Sequence, residues 1–342
     1  NQVLLTICLT KLTFLLFTFA FCLLSFVFYL LPLTFAFYLS FVLEKSQKKK
    51  VIAWIAICIS ATFANFWAYW GINENFHEGW YLMSFWDNVL LMFGQYLLMP
   101  IAFMILVFIS IRWNRIGSIC HLLLAGVAFY FFGKMHTGFF LVSVPLVGLG
   151  LLYWFGKLES RRLAYFLVLG LPLLQILGIG AFQGIRVGNR FNDGNFDARM
   201  IKGNSSELIW APQGIGWPDN GTSWYEAKKI CAYLSDDGKT LSNTELNIWR
   251  LPTINEAVSS MVYHGMNAGG VWDSVSRKAT YNKHPDKESP LWNMHLKTIY
   301  WWTSTEVTEK NSYIIVYDGG VWPRKKNLNA GYLNFRAVKK LK

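Results

Sequence analysis

Five apolar runs, each close to the 20 or so residues a helix needs to cross a bilayer, fill most of the first half of this chain. They lie near 51–71, 88–111, 118–133, 138–155 and 164–183, with short polar loops between them. Inside hydrocarbon a chain must satisfy its own backbone hydrogen bonds, so runs of this length commit the first half to helices. Ahead of them, residues 3–43 are apolar without a break. As one helix that stretch would measure about 60 Å at 1.5 Å per residue, twice the hydrocarbon thickness. Two arrangements fit: two spans meeting without a proper loop, or one span near 20–43, kinked at Pro32, after a segment lying in the interface. Lys11 with Thr6, Thr10 and Thr13 gives the early part a polar stripe suited to packing on other helices. Because the chain begins at Asn, its true start is expected upstream or removed. The expectation is a multi-pass α-helical membrane domain, 1–184, of six or seven spans.

Composition agrees with that division. Of 342 residues, 15% are charged and mean hydropathy is +0.30, against about 25% charged in soluble domains. An ordinary cytosolic enzyme and a disordered chain are both excluded. Residues 1–184 hold 11 of the 32 Lys and Arg and 5 of the 20 Asp and Glu. The net charge of +12 therefore divides equally between the two halves, which excludes a single basic module and, with it, a nucleic-acid partner. Nine basic residues sit in alternate loops: Lys45, Lys48, Lys49 and Lys50; Arg112 and Arg115; Lys157, Arg161 and Arg162. Positive short loops stay in the cytoplasm. Residues 185–342 are accordingly expected on the periplasmic or extracellular side of a bacterial inner membrane.

The spans offer little for chemistry. Ionisable groups within a bilayer are functional candidates by default, yet beyond Lys11 and His121 only the amides Asn65 and Gln95 stand out. A single histidine within the spans cannot supply two axial ligands to a haem; an imidazole bonded to a helix carbonyl is the favoured reading. His77 and His136 have no metal-ligand spacing. No cofactor is expected, although the many aromatic residues leave contacts with a pigment, quinone or lipid open. The matched broken helices of a transporter are not seen.

After residue 185 the character changes. The run 185–210 is polar and turn-rich, and Asn192-Asp193-Gly194-Asn195 reads as a plain turn because a calcium loop would need a later glutamate. Ser223 with Glu226, and Thr253 with Glu256, are spaced as capping boxes. Each opens a helix: Ala227, Ile230, Cys231 and Leu234 form one apolar stripe, ended at Gly238. Ile254, Ala257, Val258, Met261 and Val262 form the other, ended at Gly265. An irregular region runs to about 298. Strands are expected at 299–303, 313–317 and 332–338, with a tight turn at Asp318-Gly319 leading to Val321-Trp322, where Pro323 limits pairing. The sum is a small α+β domain, 185–342.

Its motifs carry a resemblance. Trp224, Ala227 and Cys231 come first. Trp249-Arg250-Leu251-Pro252-Thr253 follows with Glu256, then Tyr300-Trp301-Trp302-Thr303-Ser304-Thr305, Gly320-Val321 and Phe335-Arg336-Ala337-Val338. Over roughly 195–340 this resembles the Lcl C-terminal type of domain, a C-type-lectin-like fold related to the formylglycine-generating enzyme domain. The resemblance implies a core filled by Trp249 and Trp302, Pro252 in the first turn of a helix, and Arg336 bonded to buried backbone. Family members often pair a cysteine of the last strand with one of the first helix. Here Ala337 takes that place, so Cys231 has no disulfide partner within the domain, and formylglycine-type chemistry is disfavoured. The calcium motifs of sugar-binding lectins are missing; Trp217-Pro218-Asp219-Asn220 precedes the first helix.

The resemblance places recognition in the long loop 265–298, with Trp272, Asp273, Tyr281, His284, Asp286, Glu288 and Trp292. Aromatic rings beside carboxylates suit a glycan, and Trp and Tyr suit a protein interface; packing on the domain's own core is the third possibility. The expectation is a non-catalytic subunit of an integral membrane protein complex, capped by the lectin-like domain. The alternative is a surface receptor or adhesin that binds glycan or peptide through 265–298.

Overall fold

The computed structural model describes residues 44–132, 142–204 and 207–341. The 3–43 stretch with Lys11 and Pro32, His136, and the start of the 138–155 run lie outside them. Helix α1 is Lys45–Glu78. The 88–111 run is divided: α2 (Phe85–Leu91) and a π-helical turn, Met92–Tyr96, come before α3 (Leu98–Arg112). The break at Leu97 has a local cause, since Pro100 has no N–H to donate to the carbonyl of Tyr96. Next come α4 (Asn114–Phe132), α5 (Val144–Phe155), α6 (Arg162–Tyr165), a π-helical turn at Phe166–Gly170 and α7 (Leu171–Gly188). Among the described residues three helices are long and apolar enough to cross a membrane, or four if the divided pair is one span.

The chain forms two compact units, Asn1–Phe66 with Ile101–Pro172, and Trp67–Pro100 with Leu173–Lys342. The division cuts through α1, α3 and α7. In the first unit α4 and α5 pack closely: a Cβ on Gly150 would lie 3.0 Å from the Leu122 side chain, and Ser118 Oγ donates to the Gly150 carbonyl at 2.5 Å. Ser60 and Tyr153 share a buried hydrogen bond of 2.8 Å. His121 donates from Nδ1 to the carbonyl of Gly117, one turn back on its own helix, at 2.9 Å.

In the second unit, the helix ends precede an α+β region. Strand β1 (Arg199–Lys202) pairs antiparallel with β2 (Glu207–Trp210), two strands within what reads as a polar, turn-rich run. Helix α8 is Trp224–Tyr233 and α9 is Ile254–Ser259. Both stop earlier than their stripes suggest. Leu234 turns to extended backbone as the α8 cap, and Met261 and Val262 lie beyond α9. Gly265, at φ 74°, sits instead in the turn between β3 (Val262–Tyr263) and β4 (Met266–Asn267). The segment expected to be irregular thus contains the β3–β4 hairpin's second arm and a further hairpin, β5 (Val271–Asp273) with β6 (Lys278–Thr280).

Strands β7 (Tyr300–Thr308), β8 (Asn311–Val316) and β9 (Val321–Lys325) form an antiparallel meander. Pro323 is paired within β9 opposite Tyr313, which is possible because β9 is the sheet's edge and the missing N–H faces away from the ladder. Gly319, at φ 87°, closes the β8–β9 turn, where a Cβ would also lie 2.5 Å from the Tyr281 ring. The single last strand expected over 332–338 is two. Leu333–Asn334 (β10) runs parallel to β7, and Val338–Lys340 (β11) joins β2. The sheets are ordered β1-β2-β11 and β10-β7-β8-β9. Arg336 lies between the two short strands.

Two apolar clusters fill this region. One gathers Trp210, Trp217, Trp292, Trp301 and Ile315; the other gathers Cys231, Trp249, Trp302, Ile314 and Phe335. Burying one such large side chain contributes about 1.5–3 kcal/mol before entropy is counted.

Candidate functional site

The motif residues are tied to one another. Thr253 and Glu256 make a full capping box: Thr253 Oγ1 accepts from the Glu256 N–H at 3.2 Å, and Glu256 accepts from the Thr253 N–H at 2.8 Å. Ser223 caps α8 by accepting from the Glu226 N–H at 3.3 Å, without the reciprocal bond. Arg250 grips Glu256 with both terminal nitrogens, at 2.7 and 2.6 Å. Burial pushes the Glu256 carboxyl up, but the Arg250 guanidinium and the Thr253 N–H outweigh it and hold the group below the usual range. Pro252 does not stand in the first turn; it precedes the cap, and its carbonyl accepts from the Ser304 N–H at 2.8 Å. Thr305 Oγ1 accepts from the Ile254 N–H at 2.9 Å. Ser304 and Thr305 on β7 therefore fasten the start of α9 to the sheet. Leu251, Trp249 and Trp302 are buried, and the two indoles donate to the carbonyls of Ser235 and Thr222 at 2.8 and 2.7 Å.

Arg336 is fully buried and faces no carboxylate. Its Nε donates to the Ala211 carbonyl at 2.8 Å, and Nη1 donates to those of Pro290 and Leu291 at 3.0 and 2.6 Å. The guanidinium lies 3.9 Å from the Trp217 ring centre. Burial drives its pKa well below the ordinary arginine value. Cys231 is a buried free thiol pushed up to about 12 by burial, so it behaves as a small hydrophobe.

The loop residues do not converge on one site. Trp292 is 2% exposed and stacks on Trp301, ring centres 3.6 Å apart and planes 13° apart; its ring belongs to the core and offers no surface to a partner. Asp286 and Glu288 are buried as well. Glu288 accepts from the backbone N–H of His264. Trp272 is half-buried against Tyr313. Asp273 is exposed and caps its own hairpin turn, accepting from Ser276 Oγ at 2.6 Å and the Val275 N–H at 2.9 Å, bonds that hold its carboxyl below the usual range. Tyr281 donates to the Gly319 carbonyl at 3.0 Å. His284 Nδ1 donates to the Pro285 carbonyl at 3.1 Å. The carboxylates and rings of 265–298 mostly face into the fold.

A buried ionic cluster stands out that the sequence reading did not isolate. Asp286 accepts from Arg190 Nε at 3.0 Å, lies 2.8 Å from Arg190 Nη2 and 3.7 Å from Arg186 Nε. Lys287, also buried, donates from Nζ to the Leu296 carbonyl; burial lowers its pKa well below the ordinary value, and the Arg190 charge adds to that. Arg190 also lies over the Tyr317 ring at 5.4 Å, and the Tyr317 hydroxyl meets His77 Nδ1 at 3.1 Å. Tyr317 is pushed up to about 12, chiefly by burial. The one hint in the sequence is the pair Arg186 and Arg190, four apart, directly after an apolar run. At helical spacing such residues share a face.

Among the described residues no group of three or more His, Cys, Asp or Glu is placed to hold a metal ion. The Asn192–Asn195 turn is a chain of side-chain-capped turns: Asn192 and Asp193 accept from the N–H groups of Gly194 and Asn195 at 3.0 and 3.1 Å, and Asp193 pairs with Arg199 at 2.7 Å. Comparison of the chain with protein-family models, curated proteins and solved structures finds no match.

Proposed function

We propose that this chain is a non-catalytic, multi-pass subunit of a bacterial inner-membrane complex, whose C-terminal region has a C-type-lectin-like fold, lies outside the cytoplasm and docks on partner proteins. The observation that carries this reading is how the α+β region is mounted. The ends of α1 and α7 belong to the same compact unit as the α+β region; His77 of α1 meets Tyr317 in a part-buried contact, and Arg190, just beyond α7, pairs with the buried Asp286. A domain held this way presents a fixed face, and pre-ordering lowers the entropic cost of docking. A receptor that samples ligands gains more from a flexible tether. The inward-facing Asp286, Glu288 and Trp292 weigh in the same direction, since a glycan site needs such groups at the surface. Support for the lectin-like fold comes from the motif ties between Pro252 and Ser304 and between Ile254 and Thr305. The orientation rests on the basic loops.

The test is copurification of the full chain at native abundance in mild detergent. Partner proteins are expected to accompany it. Val275, 92% exposed at the tip of the β5–β6 hairpin, and Trp272 are the contacts to remove. Val275→Asp with Trp272→Ala should release partners, since truncating an interface tryptophan typically costs about 2 kcal/mol or more. A chain that copurifies alone and binds a glycan specifically, with binding lost on Trp272→Ala, would replace this reading with the receptor. An alkaline-phosphatase-type reporter fused after Val187 should be active and one fused after Lys49 silent; the reverse would overturn the orientation.

A further inference from the structure

The first compact unit contains a cleft of about 410 Å³, a size in the range of small-ligand sites. Its lining includes Lys49 on α1, Arg115 on α4, and Lys157 and Arg161 between α5 and α6, and no acidic residue. None of these four cations forms an ion pair among the described residues. The acid on the same loop, Glu159, is held by Lys50 at 2.8 Å. The frame around the cleft is knit by polar bonds: the Lys157 N–H donates to the Lys49 carbonyl at 3.0 Å, and Asn114 Nδ2 donates to the Gly156 carbonyl at 3.1 Å. Gly156 sits so close to α1 that a Cβ there would lie 2.8 Å from the Ala53 Cα. Four like charges gathered by a preformed frame repel one another until an anion neutralises them. The remaining wall is apolar: Trp154 and Phe155 line the same cleft and are exposed.

We propose that this cleft binds the phosphate of an anionic membrane lipid, with the lipid's hydrocarbon lying along Trp154 and Phe155. Basic pockets at the ends of membrane helices recognise phosphate headgroups by this combination of clustered charge and adjoining apolar surface. A soluble phosphate would satisfy the four cations but would leave the aromatic wall unused. The proposal does not depend on what the C-terminal region docks with.

The full chain in neutral detergent micelles is titrated with phosphatidylglycerol, phosphatidylcholine and inorganic phosphate, with binding read by native mass spectrometry. Phosphatidylglycerol is expected to bind at least about tenfold more tightly than phosphatidylcholine. The combined change Arg115→Gln, Lys157→Gln and Arg161→Gln should weaken it by about a hundredfold. Trp154→Ala should weaken phosphatidylglycerol and leave inorganic phosphate unchanged. Equal binding of the two lipids, or an unaltered affinity in the triple variant, would overturn the proposal. Inorganic phosphate binding as tightly as phosphatidylglycerol, with Trp154→Ala affecting neither, would overturn the lipid assignment in favour of a soluble phosphate. Should the triple variant fail to fold, Lys157→Gln alone and added salt serve instead. Screening at about 0.5 M salt should weaken phosphatidylglycerol selectively, and an equal loss for both lipids would count against the site.

Discussion

Both compact units bury polar side chains, but the backbone groups those side chains pair with differ. In the helical unit Ser110, His121 and Asn65 each bond a carbonyl four residues back on their own helix, at 2.8, 2.9 and 2.7 Å, and Ser118 and Asn65 reach the carbonyls of Gly150 and Leu167 on other helical segments. In the unit that contains the α+β region, Arg336 bonds carbonyls 125, 46 and 45 residues away, and Arg190 meets Asp286 across 96 residues. The reason is the backbone. A helix already pairs its own carbonyls, so a polar side chain that bonds one, on its own helix or a neighbour's, adds to a group that has a partner. Long loops leave carbonyls with none, and buried carbonyls must be paired, so side chains remote in sequence supply the donors. Polar burial is an accessory in the first unit and part of the framework in the second.

The largest effect is expected from Arg336→Met. It leaves the carbonyls of Ala211, Pro290 and Leu291 without their donor, each a penalty of about 1–3 kcal/mol. The region should lose its fixed tertiary structure, read as a collapsed near-ultraviolet dichroism signal; a melting temperature within a degree or so of the parent's would break the comparison. Next comes Asp286→Asn, which strands the buried Arg190 charge at a cost of about 3 kcal/mol. If thermal unfolding is unchanged, the ionic cluster is not part of the framework.

A smaller effect concerns Glu256, whose pKa is depressed in the folded state. Its stabilising contribution is complete above its unfolded pKa of about 4.3 and is lost as the pH falls through the lower folded value. Glu256→Gln should therefore destabilise at neutral pH and flatten the acid limb of the stability curve. A variant with the parent's acid profile would show that Arg250 contributes nothing through this pair. The smallest effect is expected in the helical unit. Ser118→Ala removes one bond to the Gly150 carbonyl, which should cost about 1 kcal/mol or less. A loss as large as that of Asp286→Asn would erase the distinction between the units.

Local signals in the chain were reliable where the partner lies within a few residues. The Thr253–Glu256 box is three apart and forms in full. At Ser223 the same spacing is present, yet only the serine's half forms, because Glu226 stays exposed. The strand β2 carried a readable alternation, with Leu208 and Trp210 buried. Neighbouring turn residues hid it in a stretch that reads as polar. The carboxylates of 265–298 read as surface groups because acids usually are. Asp286 is buried only because Arg190, almost a hundred residues earlier, comes to meet it.

The sequence by itself determined that the described part of the first half is built of apolar helices, but not that the 88–111 run divides at Leu97. It also determined the helix caps and the absence of a partner for Cys231 within the C-terminal region. Each of these follows from spacing, length or count along the chain. Only the tertiary structure decided which side of Trp292 is used, which carbonyls Arg336 serves, and that β10 and β11 belong to different sheets. Those choices depend on groups far apart in sequence, whose meeting is set by how the loops close, and a pattern read along the chain holds no distance across it.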